Sequence, residues 1–231
     1  MLPAAVLFDL DGTLVDTEPY WIESEMALVE RDGGSWTYED GLSLVGNALT
    51  VSAQHLRDRG GVKGTDEEIV DDLVAGVLER IQTRGVHWRS GARELLAELR
   101  AHNVPCALVT MSYRVLADAV VAQMPEGTMS VIVAGDDVTH GKPHPEPYLT
   151  AAARLGVNIA QCIGIEDSPT GAASVEASGA RLIAVPFLVH LDPAPGRNRF
   201  NALSAISMDS LRAIMSGETI DLWVQPQSPM H

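Results

Sequence analysis

Short apolar runs and helix-spaced stripes alternate along most of this chain. Continuous apolar stretches at positions 4–8, 104–109, 131–134, 162–165 and 182–185 are too short for buried helices and read as buried strands. Between them, Leu95, Leu96 and Leu99 share one face of a segment over 91–100, and segments 112–124, 145–155 and 169–178 follow the same helical logic. Gly156 and Gly179 stand just past the last two, where a left-handed C-terminal cap is expected. Alternating strands and helices predict an α/β fold, a parallel sheet covered on both faces.

The interval between Leu14 and Gly85 breaks this rhythm and reads as helix throughout. Thr17-Glu18-Pro19 is a start signal, with Thr17 as N-cap and Pro19 in the first turn, and that helix should end near Arg31-Asp32-Gly33-Gly34. Thr65-Asp66-Glu67-Glu68 fits a capping box. Ile69, Val70, Leu73, Val74, Val77, Leu78 and Ile81 then recur at helical spacing, which predicts packing inside a small helical bundle. The expected division is therefore a core over 1–15 and 86–216, a helical insertion over 16–85 with hinges near 14–18 and 85–91, and a C-terminal tail over 217–231. Residues 210–215 read as a last helix.

Composition narrows the function classes. Hydrophobic residues make up 46% and charged residues 20% of the 231 positions, which describes a folded globule. The 31 acidic residues outnumber 16 basic ones, for a net charge of −15. That balance argues against nucleic acid or an anionic membrane as partner, because phosphate backbones are repelled. A phosphate-bearing substrate has to be welcomed locally, by a metal ion, a lysine and backbone N–H groups. No apolar run approaches the roughly 20 residues that span a bilayer. Cys106 and Cys162 each lie inside an apolar run and read as buried free thiols, which fits a reducing, cytoplasmic setting. Met1-Leu2-Pro3 leads directly into the first strand, so no signal peptide is expected. A monomer is the default expectation.

The candidate chemistry sits where the apolar runs end. Phe8-Asp9-Leu10-Asp11-Gly12-Thr13-Leu14 places two aspartates two apart at the end of the first run, at the sheet edge where open α/β folds bind ligands. Residues i and i+2 of a strand point to the same side. Such carboxylates suit an oxygen-ligand metal site with one carboxylate free for covalent work; an ordinary Asp-Gly turn accounts for the segment taken alone. Glu166-Asp167 follows another apolar run. By itself the pair reads as capping the helix that begins near Pro169; beside Asp9 and Asp11 it reads as metal binding. Thr110 closes the run before a helix, where its hydroxyl and the following N–H groups can hold a phosphoryl oxygen. Ser112 is either a weaker phosphate contact or an N-cap. Lys142 lies in Gly141-Lys142-Pro143-His144-Pro145, a loop stiffened by glycine and two prolines, and suits neutralising charge that builds on a nucleophile and phosphoryl group. His144 reads as loop structure.

In this order, the segments around Asp9, Thr110, Lys142 and Glu166-Asp167 resemble the four motifs of the haloacid-dehalogenase-like hydrolase superfamily, from about residue 6 to residue 185. The resemblance implies a Rossmann-like parallel sheet core with a helical cap inserted between the first and second motifs. It implies Asp9 as nucleophile on phosphorus, Asp11 as acid/base, and a Mg²⁺ ion held by Asp9, the Asp11 backbone carbonyl, Asp167 and, directly or one shell out, Glu166. Thr110 and Lys142 would bind the transferring group. The next position, often Asn in relatives, is Met111 here, which alters any side-chain contact to substrate. Thr13 is expected to hydrogen-bond near the nucleophile, and Trp21, Gly46-Asn47 and Arg57 are candidate substrate contacts in the cap.

The activity implied is a Mg²⁺-dependent phosphatase for a small phosphorylated metabolite. Asp16-Thr17-Glu18-Pro19-Tyr20-Trp21 resembles the cap opening of sugar-phosphatase-like members, which points to a sugar or polyol phosphate. A β-phosphoglucomutase-type mutase shares the core but carries a histidine where this chain has Trp21. A haloacid dehalogenase needs no metal and lacks the second aspartate, so Asp11 and Glu166-Asp167 argue against it. A phosphonatase needs a cap lysine, and Lys63 in a glycine-flanked loop is the only one. A non-catalytic binding protein is disfavoured because every motif position holds a competent residue.

Overall fold

A computed structural model of the chain describes residues 1–45 and 49–224. It divides into two compact units, one made of Met1–Val15 with the chain from Trp88 onward, the other of Asp16–His87. The strands are β1 (Ala5–Phe8), β2 (Val15–Asp16), β3 (His87–Trp88), β4 (Cys106–Val109), β5 (Val131–Val133), β6 (Cys162–Glu166), β7 (Arg181–Ala184) and β8 (Asn198–Arg199). Where the chain passes between the units, β2 and β3 form a separate two-stranded sheet.

In the first unit six strands form a parallel sheet in the order β5-β4-β1-β6-β7-β8. Every residue of β1 is fully buried, as expected of a central strand covered on both faces. The helices of this unit are α5 (Ala92–Ala101), α6 (Arg114–Val121), α7 (Glu146–Leu155), α8 (Pro169–Ser178) and α9 (Met208–Ser216), numbered after four helices of the second unit. Side chains of α7 and α8, Tyr148, Ala151 and Val175 among them, pack with Leu7, Val109 and Leu182 into the core. Gly156 and Gly179 adopt the left-handed conformation that ends α7 and α8. The chain leaves β1 and later pairs β4 on one side of it and β6 on the other. That reversal opens a crevice at the carboxyl ends of these strands.

Some boundaries differ from the sequence reading. Helix α6 starts at Arg114 rather than 112, because Tyr113 is extended and Ser112 uses its hydroxyl elsewhere. Helix α9 begins earlier than 210, since Ser207 caps it through the Ser210 N–H. Strand β8 carries no apolar run: Asn198 is buried, and its side chain donates to Leu182 O (2.8 Å) and accepts from Ile220 N–H (2.9 Å).

The second unit holds α1 (Glu18–Arg31), α2 (Tyr38–Leu42), α3 (Leu49–Asp58) and α4 (Asp66–Arg84). Thr65 and Glu68 form the expected reciprocal cap on α4. Thr17 occupies the N-cap of α1 but makes no capping bond; Asp16 Oδ1 instead accepts the Glu18 N–H at 3.2 Å. Ile69, Val70, Leu73, Val77 and Ile81 of α4 are buried. Ile69, Val70 and Leu73 pack with Leu28, Val29 and Leu56.

One buried acid makes this unit sensitive to pH. Glu25 is 5% exposed and accepts a hydrogen bond from Trp36 Nε1–H at 3.3 Å. Burial pushes its carboxyl up to about 7; the Trp36 bond opposes this and the nearby Glu18 charge adds to it. The folded chain therefore holds a proton there that the unfolded chain releases near the ordinary value of 4.5, and stability falls as pH rises through that interval. Glu25→Gln keeps the acceptor for Trp36. It is expected to raise stability by about 1–3 kcal/mol near pH 8 and to change little near pH 5, read by urea unfolding.

Candidate active site

The strand ends place four chemically competent side chains together. Phe8 is level with Leu108 in β4 and with Ile165 in β6, so Asp9 and Glu166 emerge side by side, with Asp9 N–H donating to Ile165 O (3.0 Å). Beyond Phe8 the chain turns at once. Leu14 N–H bonds Leu10 O (2.9 Å), Gly12 N–H bonds Val15 O (2.8 Å), and Gly12 has φ +87°. Asp9 directly follows β1 and Asp11 lies within the turn, and the two carboxylates have different partners. Asp9 faces Lys142, whereas Asp11 accepts from Ser112 Oγ (2.6 Å) and Thr110 Oγ1 (3.4 Å). A side chain at position 12 is excluded twice, by its φ and because a Cβ there would stand 2.2 Å from Asp167 Oδ2.

Lys142 is the hub. Its Nζ donates to Asp9 Oδ1 (2.6 Å), Glu166 Oε1 (2.6 Å) and Val109 O (2.9 Å), using all three ammonium hydrogens, and its side chain is 6% exposed. Burial opposes its charge, but the Asp9 and Glu166 carboxylates outweigh that and hold the lysine well above its ordinary range. Met111 supports the loop, since its Sδ accepts the Lys142 backbone N–H (3.3 Å) and a Cβ on Gly141 would lie 2.7 Å from that sulfur. This side chain, expected on the substrate side, is thus engaged with the lysine loop.

Glu166 is fully buried and accepts from Lys142, Tyr148 OH (2.8 Å) and Ser168 Oγ (3.3 Å). A Cβ on Gly171 would stand 2.0 Å from its carboxyl carbon; only glycine leaves room for the carboxylate. Burial, then the Asp9 charge, push the Glu166 carboxyl up, against Lys142. Asp167 is pushed up by burial first and by the Asp9 and Glu166 charges next. The physical cause is shared. One ammonium cannot neutralise three carboxylates, and Asp9, Glu166 and Asp167 each bring an oxygen within 4.8 Å of the others.

This surplus of negative charge on hard oxygen donors fits a small divalent cation. Asp167 bonds no side-chain donor among the described residues, while the Glu166 oxygens are engaged by protein donors. Thr13 Oγ1, expected to bond near the nucleophile, is buried without a partner, which leaves a polar atom for a ligand to satisfy.

Thr110 is anchored by its N–H on Val133 O (2.9 Å), and its Oγ1 accepts from Ser112 N–H (3.0 Å). Ser112 does not cap α6, whose N-cap is Tyr113; its hydroxyl donates to Asp11. His144 is loop structure, its Nδ1 accepting from Glu146 N–H (3.2 Å) and its carbonyl from Ser174 Oγ (2.7 Å). Tyr148 escaped the sequence reading. The one available signal was a polar-tipped aromatic in the first turn after the lysine loop. Tyr148→Phe removes a donor from a buried carboxylate that keeps two others. It is expected to cost about 1–3 kcal/mol in urea unfolding, with turnover lowered but retained.

Trp21 and Arg57 belong to the second unit. Trp21 is half-buried and lines a cavity of about 90 Å³ with Glu18, Glu25, Leu49 and Ser52. Arg57 is paired with Asp58 (3.2 Å) and Asp66. Gly46-Asn47 and the segment 225–231 of the C-terminal tail lie outside the described residues. No described helix is long and apolar enough to cross a membrane.

Known proteins resemble this chain in sequence and in fold. Hexitol phosphatase A of Escherichia coli (strain K12) is 33% identical over 193 residues, 78% of this chain and 81% of that protein. The bifunctional riboflavin kinase/FMN phosphatase of Arabidopsis thaliana is 32% identical over 193 residues, 81% of this chain but 49% of that protein, so the match spans about half of that relative. CbbY from Rhodobacter sphaeroides, solved in complex with phosphate, shares the fold with a TM-score of 0.75 at 24% identity, over 88% of this chain and 96% of that one. The haloacid dehalogenase-like hydrolase family matches residues 6–185, which takes in the ends of β1, β4 and β6, and the chain is a member of that family of hydrolases.

Proposed function

We propose that the chain is a Mg²⁺-dependent phosphatase that hydrolyses a small phosphorylated metabolite, a sugar or polyol phosphate, through an aspartyl-phosphate on Asp9. The observation that carries this reading is the buried Lys142 bonded at once to Asp9 and Glu166, with Asp167 alongside. A phosphate ester resists attack because it is anionic, and a carboxylate nucleophile divides the reaction into two easier steps. Asp9 is the acid that Lys142 Nζ holds in place at 2.6 Å. Asp11, held by Ser112 and Thr110, gives a proton to the leaving alkoxide and later takes one from water. Thr110 and the N–H groups after it receive the transferring phosphoryl oxygens, and Lys142 answers the charge that builds on them.

Asp9, the Asp11 carbonyl and Asp167 are the groups suited to hold Mg²⁺. The ion would supply the cationic charge that lets Asp9 approach a phosphate. Glu166 acts on Lys142 rather than on the ion. Substrate choice is assigned to the helical unit, with Trp21 a stronger candidate than Arg57, whose guanidinium is tied to two aspartates. Trp21 in place of a histidine, together with the hexitol phosphatase relative, favours hydrolysis over phosphoryl transfer between sugar positions. The setting proposed is cytoplasmic and the assembly monomeric.

Phosphate release from a panel of sugar and polyol phosphates tests the reading. Release is expected with Mg²⁺ and is expected to stop with a chelator that leaves the fold intact. Asp167→Asn should raise the Mg²⁺ requirement by about 10–100-fold. Full activity in chelator would contradict the reading.

A further inference from the structure

The loop that delivers Lys142 to the site carries a second set of converging donors. His140 Nδ1 is hydrogen-bonded to Glu146 Oε2 at 2.8 Å, and His144 Nδ1, which accepts the Glu146 N–H at 3.2 Å, lies 3.9 Å from the same oxygen, so an ion binds there by displacing these two bonds. The two imidazole rings are 4.7 Å apart between centroids, tilted by 35°, and the three donor atoms all fall within 4.8 Å of one another. Glu146 is fixed in place by the N–H groups of Thr139 (2.8 Å) and His140 (3.0 Å). The side chains of His140, His144 and Glu146 are 62%, 51% and 28% exposed, so an ion reaches them from solvent.

We propose that His140, His144 and Glu146 form a transition-metal site for Zn²⁺ or a similar borderline cation, with water completing four-coordination. Bonds of about 2.1 Å in a tetrahedron separate ligand atoms by about 3.4 Å, which falls between the two separations found here. Two imidazoles and one carboxylate select such ions over Mg²⁺. The ligands are not those of the Asp9–Glu166–Asp167 cluster. They bracket Lys142 in the sequence, so a bound ion joins the two ends of the segment that carries it. The proposal does not depend on the reaction assigned to the site.

Calorimetric titration of Zn²⁺ into the full chain, in saturating Mg²⁺, tests it, with Co²⁺ absorption as a second readout of four-coordinate nitrogen–oxygen ligation. One Zn²⁺ per chain is expected. His140→Ala and His144→Ala should each weaken binding by at least about tenfold and remove the Co²⁺ bands, while Asp167→Ala leaves both unchanged. Far-ultraviolet circular dichroism confirms that each variant is folded. Zn²⁺ binding that survives both histidine substitutions, binding lost in Asp167→Ala, or no binding to the unsubstituted chain would each overturn the proposal.

Discussion

Asp9→Asn is expected to lower phosphate release by at least about 10³-fold and to leave the protein at least as stable as before. The activity loss follows from chemistry, because an amide of the same shape is a poor nucleophile and a weaker metal ligand. The stability expectation comes from the charges around it. The Asp9 charge helps push the Glu166 and Asp167 carboxyls up, so in the metal-free chain it is partly a source of repulsion. Removing it leaves Lys142 paired with Glu166 at 2.6 Å and relieves the like-charge contacts. Phosphate-release assays together with urea unfolding in chelator read both halves. Appreciable turnover by the variant would remove Asp9 from the nucleophile role. A large loss of stability would mean that Lys142 depends on Asp9 more than on Glu166.

Lys142→Met is expected to do the reverse, damaging stability as well as activity. Lys142 and Lys63 are the only lysines in the chain, and among the described residues Lys142 is the one cation bonded to Asp9 and Glu166. Methionine fills the volume of the stem but leaves Asp9, Glu166 and Asp167 together with no ammonium, and Val109 O without its donor. Stranding buried charge in this way costs about 3–5 kcal/mol. The loss should depend on pH in a defined direction. Without the lysine, burial and mutual repulsion raise the carboxyl values in the folded state above those of the unfolded chain. The folded variant then binds more protons, and its stability falls as pH rises. In the unsubstituted chain the raised lysine contributes stability that is present throughout neutral pH and lost only as pH rises through its elevated value. Urea midpoints near pH 5 and near pH 8 should therefore diverge more for the variant than for the parent. Equal midpoint shifts at the two pH values would contradict the charge-stranding account.

What the sequence discloses and what it hides have the same physical origin. Strands β1 and β6 are buried on both faces, so they appear as uninterrupted apolar runs, and the acids that end them are conspicuous. Gly156 and Gly179 are legible because left-handed caps favour one residue type. Polar residues whose partners are distant in sequence are not legible. Ser112 bonds Asp11 across 101 positions, and Tyr148 meets Glu166 across 18. Nothing local to either residue announces the partner. Strand β8 is hidden for a related reason, since the buried Asn198 earns its place through hydrogen bonds rather than through apolar area. Thr17 is a plausible cap by composition, yet Asp16 supplies the bond.

The central claim is that Asp9 carries the phosphoryl group during turnover. Its most direct test is a rapid acid quench of the Mg²⁺-loaded protein reacting with a hydrolysed sugar or polyol phosphate. Borohydride reduction of the trapped acyl phosphate and peptide mass spectrometry then locate it. Conversion of Asp9 to homoserine, absent in Asp9→Asn, is the predicted result. Reductive conversion at any other carboxylate, or a phosphoryl group carried on a side chain other than Asp9, would contradict it.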